Sequence, residues 1–332
     1  SAVKFTIWQA FLSAFFSTIL AIPVARALAR RRFWGRGFLV TLLGAPFILP
    51  VIVAVLGLLA IFGRAGFLND ILAFFGFAKV SIYGLHGVVL AHVFFNLPLA
   101  TRLLLQGWQT VPAERFRLVA QLGLRSSMVF RLIEWQLIVR ILPGAFALVF
   151  VICLTSFAVA LTLGGGPRAT TIELAIYQAF RFDFDLGRAA VLSILQLGVA
   201  GSAAGLALWI IPSVSFGGGL DRMQRRWDVR TAWSVVLDST FIVLALGFLI
   251  LPLLAILLSG LGGLADVPLA IWATAWTSFW VAMLSVGALL CAALPMAGWI
   301  ATSKRAGVEA VGLLGLAASP LMIGTGWFIL IH

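Results

Sequence analysis

Charged side chains are scarce in this chain: Asp, Glu, Lys and Arg make up 10% of its 332 residues, whereas 62% are hydrophobic. Soluble domains carry about 25% charged and about 45–50% apolar residues, so the composition excludes an ordinary soluble domain and indicates a polytopic membrane protein. Acidic residues are the rarest charges, with 11 Asp and Glu against 23 Lys and Arg. A net charge of +12 would suggest nucleic acid as the partner of a soluble protein, but basic loops are typical of membrane proteins. We therefore expect membrane lipid around the chain and no nucleic acid.

Residue types that build catalytic and metal sites are also few. The sequence has 2 cysteines and 3 histidines, which are scattered, and it contains no HExxH pattern. A GxxxxGK[ST] phosphate loop is absent, so the chain is not expected to bind ATP by that device. Cys153 and Cys291 lie in apolar runs and are predicted to be buried, inert thiols. We predict no catalytic residue, no metal and no cofactor on this chain, and transport becomes the default function.

Eight apolar runs are long enough to cross a bilayer, which takes about 20 residues. The loops between them form two sets, and most Arg and Lys residues lie in one set, which includes the arginines at 222–230 and the pair Lys304 and Arg305. By the positive-inside rule this set is cytoplasmic, which places residue 1 outside and residues 109–137 inside. The predicted fold is an all-α bundle of transmembrane helices. The predicted spans are 6–28, 38–62, 84–108, 138–163, 189–212, 234–259, 272–302 and 307–331.

The longest polar interruption, residues 111–143, carries five arginines. Leu118, Leu122 and Leu124 recur there at helical spacing with polar residues between them. The pattern predicts a short amphipathic helix, a break at Gly123 and a second helical run. Such a helix either lies on the bilayer surface or docks into a groove on a partner, and the residues alone leave both open.

Polar groups inside or between the spans are candidates for a translocation pathway. Asn96 and His92 lie in the middle of a span, where they either line a pathway or bond a neighbouring helix. In the loop 164–188, Thr170 or Thr171 can cap a short helix. Tyr177 and nearby phenylalanines in that loop could contact a cationic substrate or form an interfacial aromatic belt. No acid lies deep in an apolar run apart from Asp238, near the inner end of its span, which argues against a proton-coupled carrier.

The end of the chain repeats its beginning at an offset of about 270 residues. Trp8 and Phe11 match Trp276 and Phe279, and Pro50 has a counterpart later in the chain, Pro320. Both copies have the same orientation, as in a parallel duplication. We expect residues 1–230 to form a first repeat of five spans whose first helix is missing, and residues 231–332 to begin a second repeat with three spans. The chain is then expected to be truncated at both ends and part of a protein of roughly twelve helices.

Four stretches of the chain are distinctive: WQAFLSA (8–14), ARALARRRF (25–33), YGLHGVVLAHVFFNLPLATRLLLQ (83–106) and LGGGPRATTIELAIYQA (163–179). These stretches resemble the fused permease subunits of bacterial thiamine ABC importers. The loop 109–137 resembles the EAA loop of type I ABC importer permeases, in which a glycine is followed about ten residues later by Ile-x-Leu-Pro; here Gly123 is followed by Ile133. The loop departs from that pattern where Gln136 replaces its proline and residues 117–119 replace its Glu-Ala-Ala.

The resemblance implies the type I importer permease fold in the bacterial inner membrane, with residue 1 periplasmic and residues 109–137 cytoplasmic. It implies two cytoplasmic ATP-binding subunits, which carry ATP and Mg, and a periplasmic binding protein that delivers thiamine or its phosphates. The loop 112–131 would form the coupling helix that docks on an ATPase. The coupling residues implied by the match are Glu114, Arg115, Arg117, Ala120, Gly123 and Leu124.

Thiamine carries a permanent thiazolium cation, so a polar and aromatic pathway without fixed positive charge would suit it. The candidate pathway residues are Asn96, Thr155, Ser156 and Tyr177. Two alternatives stay open: a permease for ferric iron or another small solute of the same superfamily, and a membrane scaffold that transports nothing.

Overall fold

A computed structural model describes residues 2–166, 169–210, 231–262, 268–302 and 319–331. Seven helical segments in these ranges are long and apolar enough to cross a membrane, and no strand is found among the same residues. This confirms the predicted all-α membrane bundle. The helices are α1 (Ala2–Arg30), α2 (Arg36–Leu42), α3 (Ala45–Ile48), α4 (Val51–Phe62), α5 (Phe67–Phe74), α6 (Leu85–Thr110), α7 (Ala113–Gln121), α8 (Ser126–Val129), a π-turn (Phe130–Glu134), α9 (Trp135–Leu154), α10 (Ala158–Leu163), α11 (Ile172–Arg181), α12 (Leu186–Ile210), α13 (Ala232–Leu261), α14 (Leu269–Thr302) and α15 (Pro320–Ile331).

Part of the predicted topology lies outside the described residues. This applies to the basic residues at 222–230, to Lys304 and Arg305, and to residues 307–318 of the eighth predicted span. The remainder of that span forms α15, which is 12 residues long, as is α4. The two helices also share a proline at their start, Pro320 in α15 and Pro50 as the N-cap of α4.

The second predicted span, 38–62, is not one helix but the three pieces α2, α3 and α4. Proline lacks the backbone N–H that a continuous helix needs, and it disfavours helical backbone at the preceding residue. Pro46 and Pro50 fall at these junctions, and Pro50 has the extended ψ of 133° at the start of α4. The predicted continuous span was therefore wrong.

The fourth predicted span, 138–163, is also discontinuous. Helix α9 ends at Leu154, residues 155–157 are not helical, and α10 begins at Ala158. At its other end the segment extends back through the π-turn to Ser126, which gives 29 helical residues ending at Leu154. Inside a bilayer, non-helical backbone is tolerated only where it is buried in protein or lines a cavity. The residues around this break are therefore a candidate functional site.

The centre of the bundle is formed by α1 and α6, which pack along small side chains. Ala10, Ala14 and Ala21 of α1 and Ala91 and Ala100 of α6 are fully buried. Small residues let two helices approach closely, which favours van der Waals contact and interhelical hydrogen bonds in a membrane. Helix α9 crosses this pair, and α13 packs against α4 and α1.

Helix α14 contacts little else in the described chain, and its most apolar stretch has no buried residue. Cys153 in α9 is buried as predicted, but Cys291 in α14 is exposed, so its predicted burial was wrong. The Trp276 and Phe279 rings of α14 stack with centroids 5.8 Å apart, and their predicted counterparts in α1, at positions 8 and 11, stack at 6.1 Å. The two matched segments thus share a local ring geometry.

Candidate functional site: an exposed basic helix and a broken span

The polar interruption folds as predicted into a short helix, a glycine break and a second helical run. Helix α7 covers Ala113–Gln121, and Gly123 has the left-handed φ of +62°. The Gly123 N–H donates to Ala120 O (3.1 Å) and the Leu124 N–H donates to Val119 O (3.3 Å), the hydrogen-bond pattern of a Schellman motif. A Cβ at Gly123 would meet nothing within 4 Å, so the positive φ, rather than close packing within this chain, explains the glycine.

Two apolar stripes compete on α7, and the structure buries the one that the leucine spacing did not predict. Phe116 and Val119 pack against Val129 and Ile133 of the following helical segment. Leu118 and Leu122 are 58% and 63% exposed and face away from the bundle, beside the charged side chains. The packed stripe fixes α7 to the π-turn, and the exposed stripe leaves an apolar and basic surface.

The six predicted coupling residues divide between these faces. Glu114, Arg115, Arg117 and Gly123 are exposed, whereas Ala120 and Leu124 are half-buried. Leu124 packs beside the cluster that anchors α7. The structure therefore brings all six residues onto one short segment with a free outer surface. The arrangement neither buries this segment among the spans nor separates its residues.

Three ion pairs to two buried acids connect the end of α1 that lies near α7 with other helices. Arg26 Nε lies 2.7 Å from Glu134 Oε2, and Glu134 in the π-turn is fully buried. The Arg26 guanidinium also lies 4.9 Å from the centroid of the Phe130 ring. One turn further on, Arg31 Nε lies 2.7 Å from Asp238 Oδ2 of α13, and Arg30 Nη1 lies 3.6 Å from Asp238 Oδ1.

The residue pattern did not predict these pairs. A signal was present, because Glu134 is an acid among arginines and Asp238 is an acid near one end of a predicted span. Which arginine each acid contacts could not be predicted from spacing, since the partners of the first pair are 108 positions apart and those of the second 207.

The break in the fourth span leaves two carbonyl groups without their usual donors, and two glutamines replace those donors. In a continuous helix, Cys153 O and Leu154 O would accept from N–H groups four residues later. Here Gln9 Nε2 of α1 donates to Cys153 O and Gln196 Nε2 of α12 donates to Leu154 O, both at 3.0 Å. Both glutamines are fully buried. Sequence reasoning missed them, although a glutamine inside an apolar span is itself a signal of an interior polar contact.

The predicted pathway residues lie at or beside this break. Thr155 and Ser156 are half-buried in the non-helical segment itself. The Tyr177 ring of α11 lies 5.1 Å from the Phe157 ring. Asn96 is buried against the other side of the break, where its Nδ2 donates to His92 O (2.9 Å) and lies 3.5 Å from Cys153 Sγ. His92 Nδ1 in turn lies 3.1 Å from Ser13 Oγ of α1.

The loop before α12 also folds as the residues predicted. Helix α11 spans Ile172–Arg181, and the Thr171 side chain caps it by accepting from Leu174 N at 3.2 Å. Ile172 N donates to Thr6 Oγ1 of α1 at 2.9 Å, so the start of α11 is held against the first residues of α1. This contact fixes the position of Tyr177 relative to the break.

A bundle of long apolar helices with an exposed basic helix between two spans is the architecture that the resemblance implied. No family model matches the chain. It is similar over 99% of its length to the thiamine transport system permease protein ThiP of Escherichia coli (strain K12), with 43% identity over 342 residues, and to ThiP of Brucella abortus (strain 2308), with 41% identity over 352 residues. The resemblance to permeases of ABC importers is thereby confirmed. More particularly, these relatives are thiamine transport permeases.

The matches cover only part of the length of these relatives. The chain spans 63% of the Escherichia coli protein and 62% of the Brucella abortus protein. A probable sulfate transport system permease protein, cysT of Helicosporidium sp. subsp. Simulium jonesii, is 27% identical over 201 residues, which cover 60% of this chain and 74% of that protein. The similarity to a sulfate permease indicates a scaffold shared among permeases named for chemically unlike solutes.

Proposed function

We propose that this chain forms part of the transmembrane pathway of an ATP-driven importer of thiamine and thiamine phosphates. The observation that carries the proposal is a sequence identity above 40% to thiamine transport permeases, in alignments that cover 99% of this chain. In this proposal a periplasmic binding protein delivers the substrate, and two cytoplasmic ATP-binding subunits hold ATP and Mg. This chain binds neither.

Coupling is assigned to the exposed face of α7. The apolar residues Leu118 and Leu122 beside Glu114, Arg115 and Arg117 provide a surface of the kind that docks in a groove on a partner. Phe116 and Val119 fix α7 to the helical segment that continues into α9. A displacement imposed on α7 by ATP-driven closure of the ATPase subunits would therefore move α9, as in a hinge or shear motion.

The break at residues 155–157 is the proposed segment of the pathway. Discontinuous helices form substrate sites in transporters because non-helical backbone offers polar groups at membrane depth. Its surroundings in the described chain are amides, hydroxyls and aromatic rings, supplied by Asn96, Thr155, Ser156 and Tyr177. These groups can replace water around an organic cation without opposing its charge.

Reconstitution of the complete transporter in proteoliposomes tests the function. Thiamine-loaded binding protein should stimulate ATP hydrolysis, and labelled thiamine should accumulate inside the vesicles. Ferric iron and sulfate, presented with their own binding proteins, should not accumulate. Accumulation of either instead of thiamine would reassign the substrate, and the absence of ATPase stimulation and of all three fluxes would leave the chain a scaffold.

The sidedness of the loops is a proposal of its own. Leu122 lies beside α7, and Phe75 lies at the end of α5 on the predicted opposite side; both are well exposed. In a background with both native cysteines replaced, a membrane-impermeant maleimide added to intact cells should label Phe75→Cys but not Leu122→Cys. Permeabilisation should allow labelling of both. The reverse pattern would invert the proposed topology.

A further inference from the structure

We propose that Glu173, Tyr177 and Phe157 form a binding site for an organic cation beside the break in the fourth span. The inference rests on the proposed transport function and adds to it the residue that supplies the negative charge for the substrate. Glu173 was not among the predicted pathway residues, because in the sequence it is one of several acids in an external loop.

The first observation is the state of the Glu173 carboxylate. It is fully buried in the first turn of α11, and its Oε2 accepts a hydrogen bond from Ser319 Oγ at 2.6 Å. Its other oxygen, Oε1, has no hydrogen-bond partner of normal geometry. Burial raises the pKa of Glu173 to about 7, against the effect of the Ser319 hydroxyl, which lowers it. A buried acid with one free oxygen is costly to folding, so its presence calls for a ligand or a function.

A second buried acceptor lies near this carboxylate. Gln196 donates through Nε2 to Leu154 O at the end of α9, and its Oε1 has no hydrogen-bond partner. The Gln196 side chain is close enough to Glu173 to lower the pKa of that carboxyl group. Two unpartnered oxygens, one of them on an acid, therefore lie beside the broken helix. Such a set of acceptors attracts a cation and repels an anion.

Aromatic rings complete the site. Tyr177 follows Glu173 by one helical turn, so the two side chains lie on the same face of α11. The Tyr177 ring lies 5.1 Å from the Phe157 ring and 5.8 Å from the Phe182 ring. Aromatic faces beside a carboxylate are the arrangement that recognises quaternary ammonium and related organic cations.

The same geometry disfavours a metal ion. A hard cation such as ferric iron is held by several charged oxygen or nitrogen ligands. Among the described residues no group of three or more His, Cys, Asp or Glu side chains could hold a metal, and Glu173 takes part in none of the ion pairs found there. A delocalised cation such as a thiazolium needs one counter-charge and aromatic contact, which this site supplies.

The test compares two substrates on the complete transporter in proteoliposomes. One is thiamine, and the other is its neutral isostere in which carbon replaces the charged ring nitrogen. Glu173→Gln keeps the shape and the Ser319 hydrogen bond but removes the charge. It should lower the rate of thiamine uptake about tenfold relative to uptake of the isostere, because only the cation loses an electrostatic partner. Because the readout is a ratio within the same vesicles, partial loss of assembly cancels.

Three further variants and one control distinguish the cation site from other roles. Tyr177→Phe should keep the wild-type ratio because the ring face remains, whereas Tyr177→Ala should lower the ratio; a lower ratio in Tyr177→Phe would instead show that the hydroxyl group, and not the ring face, distinguishes the two substrates. Glu173→Asp should keep a preference for the cation. Asp183→Asn is the matched control, since Asp183 lies on the same loop in an exposed ion pair with Arg188, and it should leave the ratio unchanged.

The outcomes separate this inference from the proposed function. If wild-type vesicles take up no thiamine, the proposed function fails. If they take it up but Glu173→Gln and Tyr177→Ala both leave the ratio of the two substrates unchanged, the function stands and the cation site is refuted. If Glu173→Gln does not assemble at all, the ratio measured for Tyr177→Ala decides.

Discussion

Replacing Gly123 by aspartate tests the coupling role of α7 without disturbing its fold. The residue has a φ of +62°, where L-residues are disfavoured, but Asn and Asp enter this region more readily than other side chains. A Cβ there meets no atom within 4 Å. The substitution should therefore cost about 1 kcal/mol of local stability, which the packed stripe of α7 can absorb.

The effect on docking should be much larger. If the outer face of α7 lies in a groove on an ATPase, an aspartate at its end becomes buried there without a partner. Unpaired charges in interfaces cost about 2–5 kcal/mol, which corresponds to a loss of affinity of about 30-fold to several thousandfold. We expect ATP-driven thiamine uptake to be abolished while the permease still assembles in the membrane at the wild-type level.

The assay is uptake of labelled thiamine in cells, with membrane abundance measured by immunoblot. Gly123→Ala introduces at least as much backbone strain without charge and should retain most of the uptake. Gly76→Asp is the matched control, because Gly76 follows α5 with a φ of +77° and equally open surroundings. Normal uptake in Gly123→Asp would refute the docking role, and equal losses at both glycines would indicate a general effect of added acids.

Three further predictions concern stability and are measured by thermal unfolding of the purified permease in detergent. Arg26→Ala removes the arginine that pairs with the buried Glu134 carboxylate and should cost about 3–5 kcal/mol; an unchanged melting temperature would show that the pair contributes nothing. Gln196→Leu removes the donor to Leu154 O and should cost about 1–3 kcal/mol, whereas Gln178→Leu at an exposed position of α11 should change little. The pKa of Glu173 is raised to about 7, so the folded state binds this proton more tightly than the unfolded state. The stabilisation of the fold by the protonated group is therefore complete below the ordinary pKa of a glutamate and is lost as pH rises through about 7. Glu173→Gln should remove that dependence, and an identical pH profile in both proteins would contradict the assignment.

Much of the fold follows from the sequence because apolar length and local signals determine it. A run of about 20 apolar residues is long enough to cross a bilayer, which identifies most of the spans. The end of α7 at Gly123 and the cap at Thr171 are equally local, since each depends on the backbone preference or side chain of one residue. The break at Gly123 was predicted at the correct position, and the cap was one of the two threonines predicted for it.

The break in the fourth span could not be placed in this way. Residues 155–157 are Thr-Ser-Phe, which contain neither proline nor glycine, and the hydropathy of the run is continuous across them. The break is stabilised from outside the segment, by Gln9 and Gln196 on other helices. A local pattern carries no information about donors that arrive from distant parts of the chain.

The same limit applies to the candidate site. Helix α7 has two apolar stripes, and which one packs inward depends on where Val129 and Ile133 lie in space. Glu173 was visible in the sequence as an acid in a loop, and only its burial against Ser319 and Gln196 distinguishes it from Asp183 and Asp185. Residue types indicated the class of protein, and the packing of distant segments determined which residues stand out.

The last turns of α1 and the residue that follows them connect parts of the protein that are far apart in the chain. Arg26 forms an ion pair with Glu134 in the π-turn beside α7, and Arg30 and Arg31 form ion pairs with Asp238 of α13. A displacement of α7 must therefore either break the ion pair between Arg26 and Glu134 or move α1 as well. Because α1 is paired with Asp238, α13 would move with it. Force that enters through a single nine-residue helix would then be shared among at least three spans.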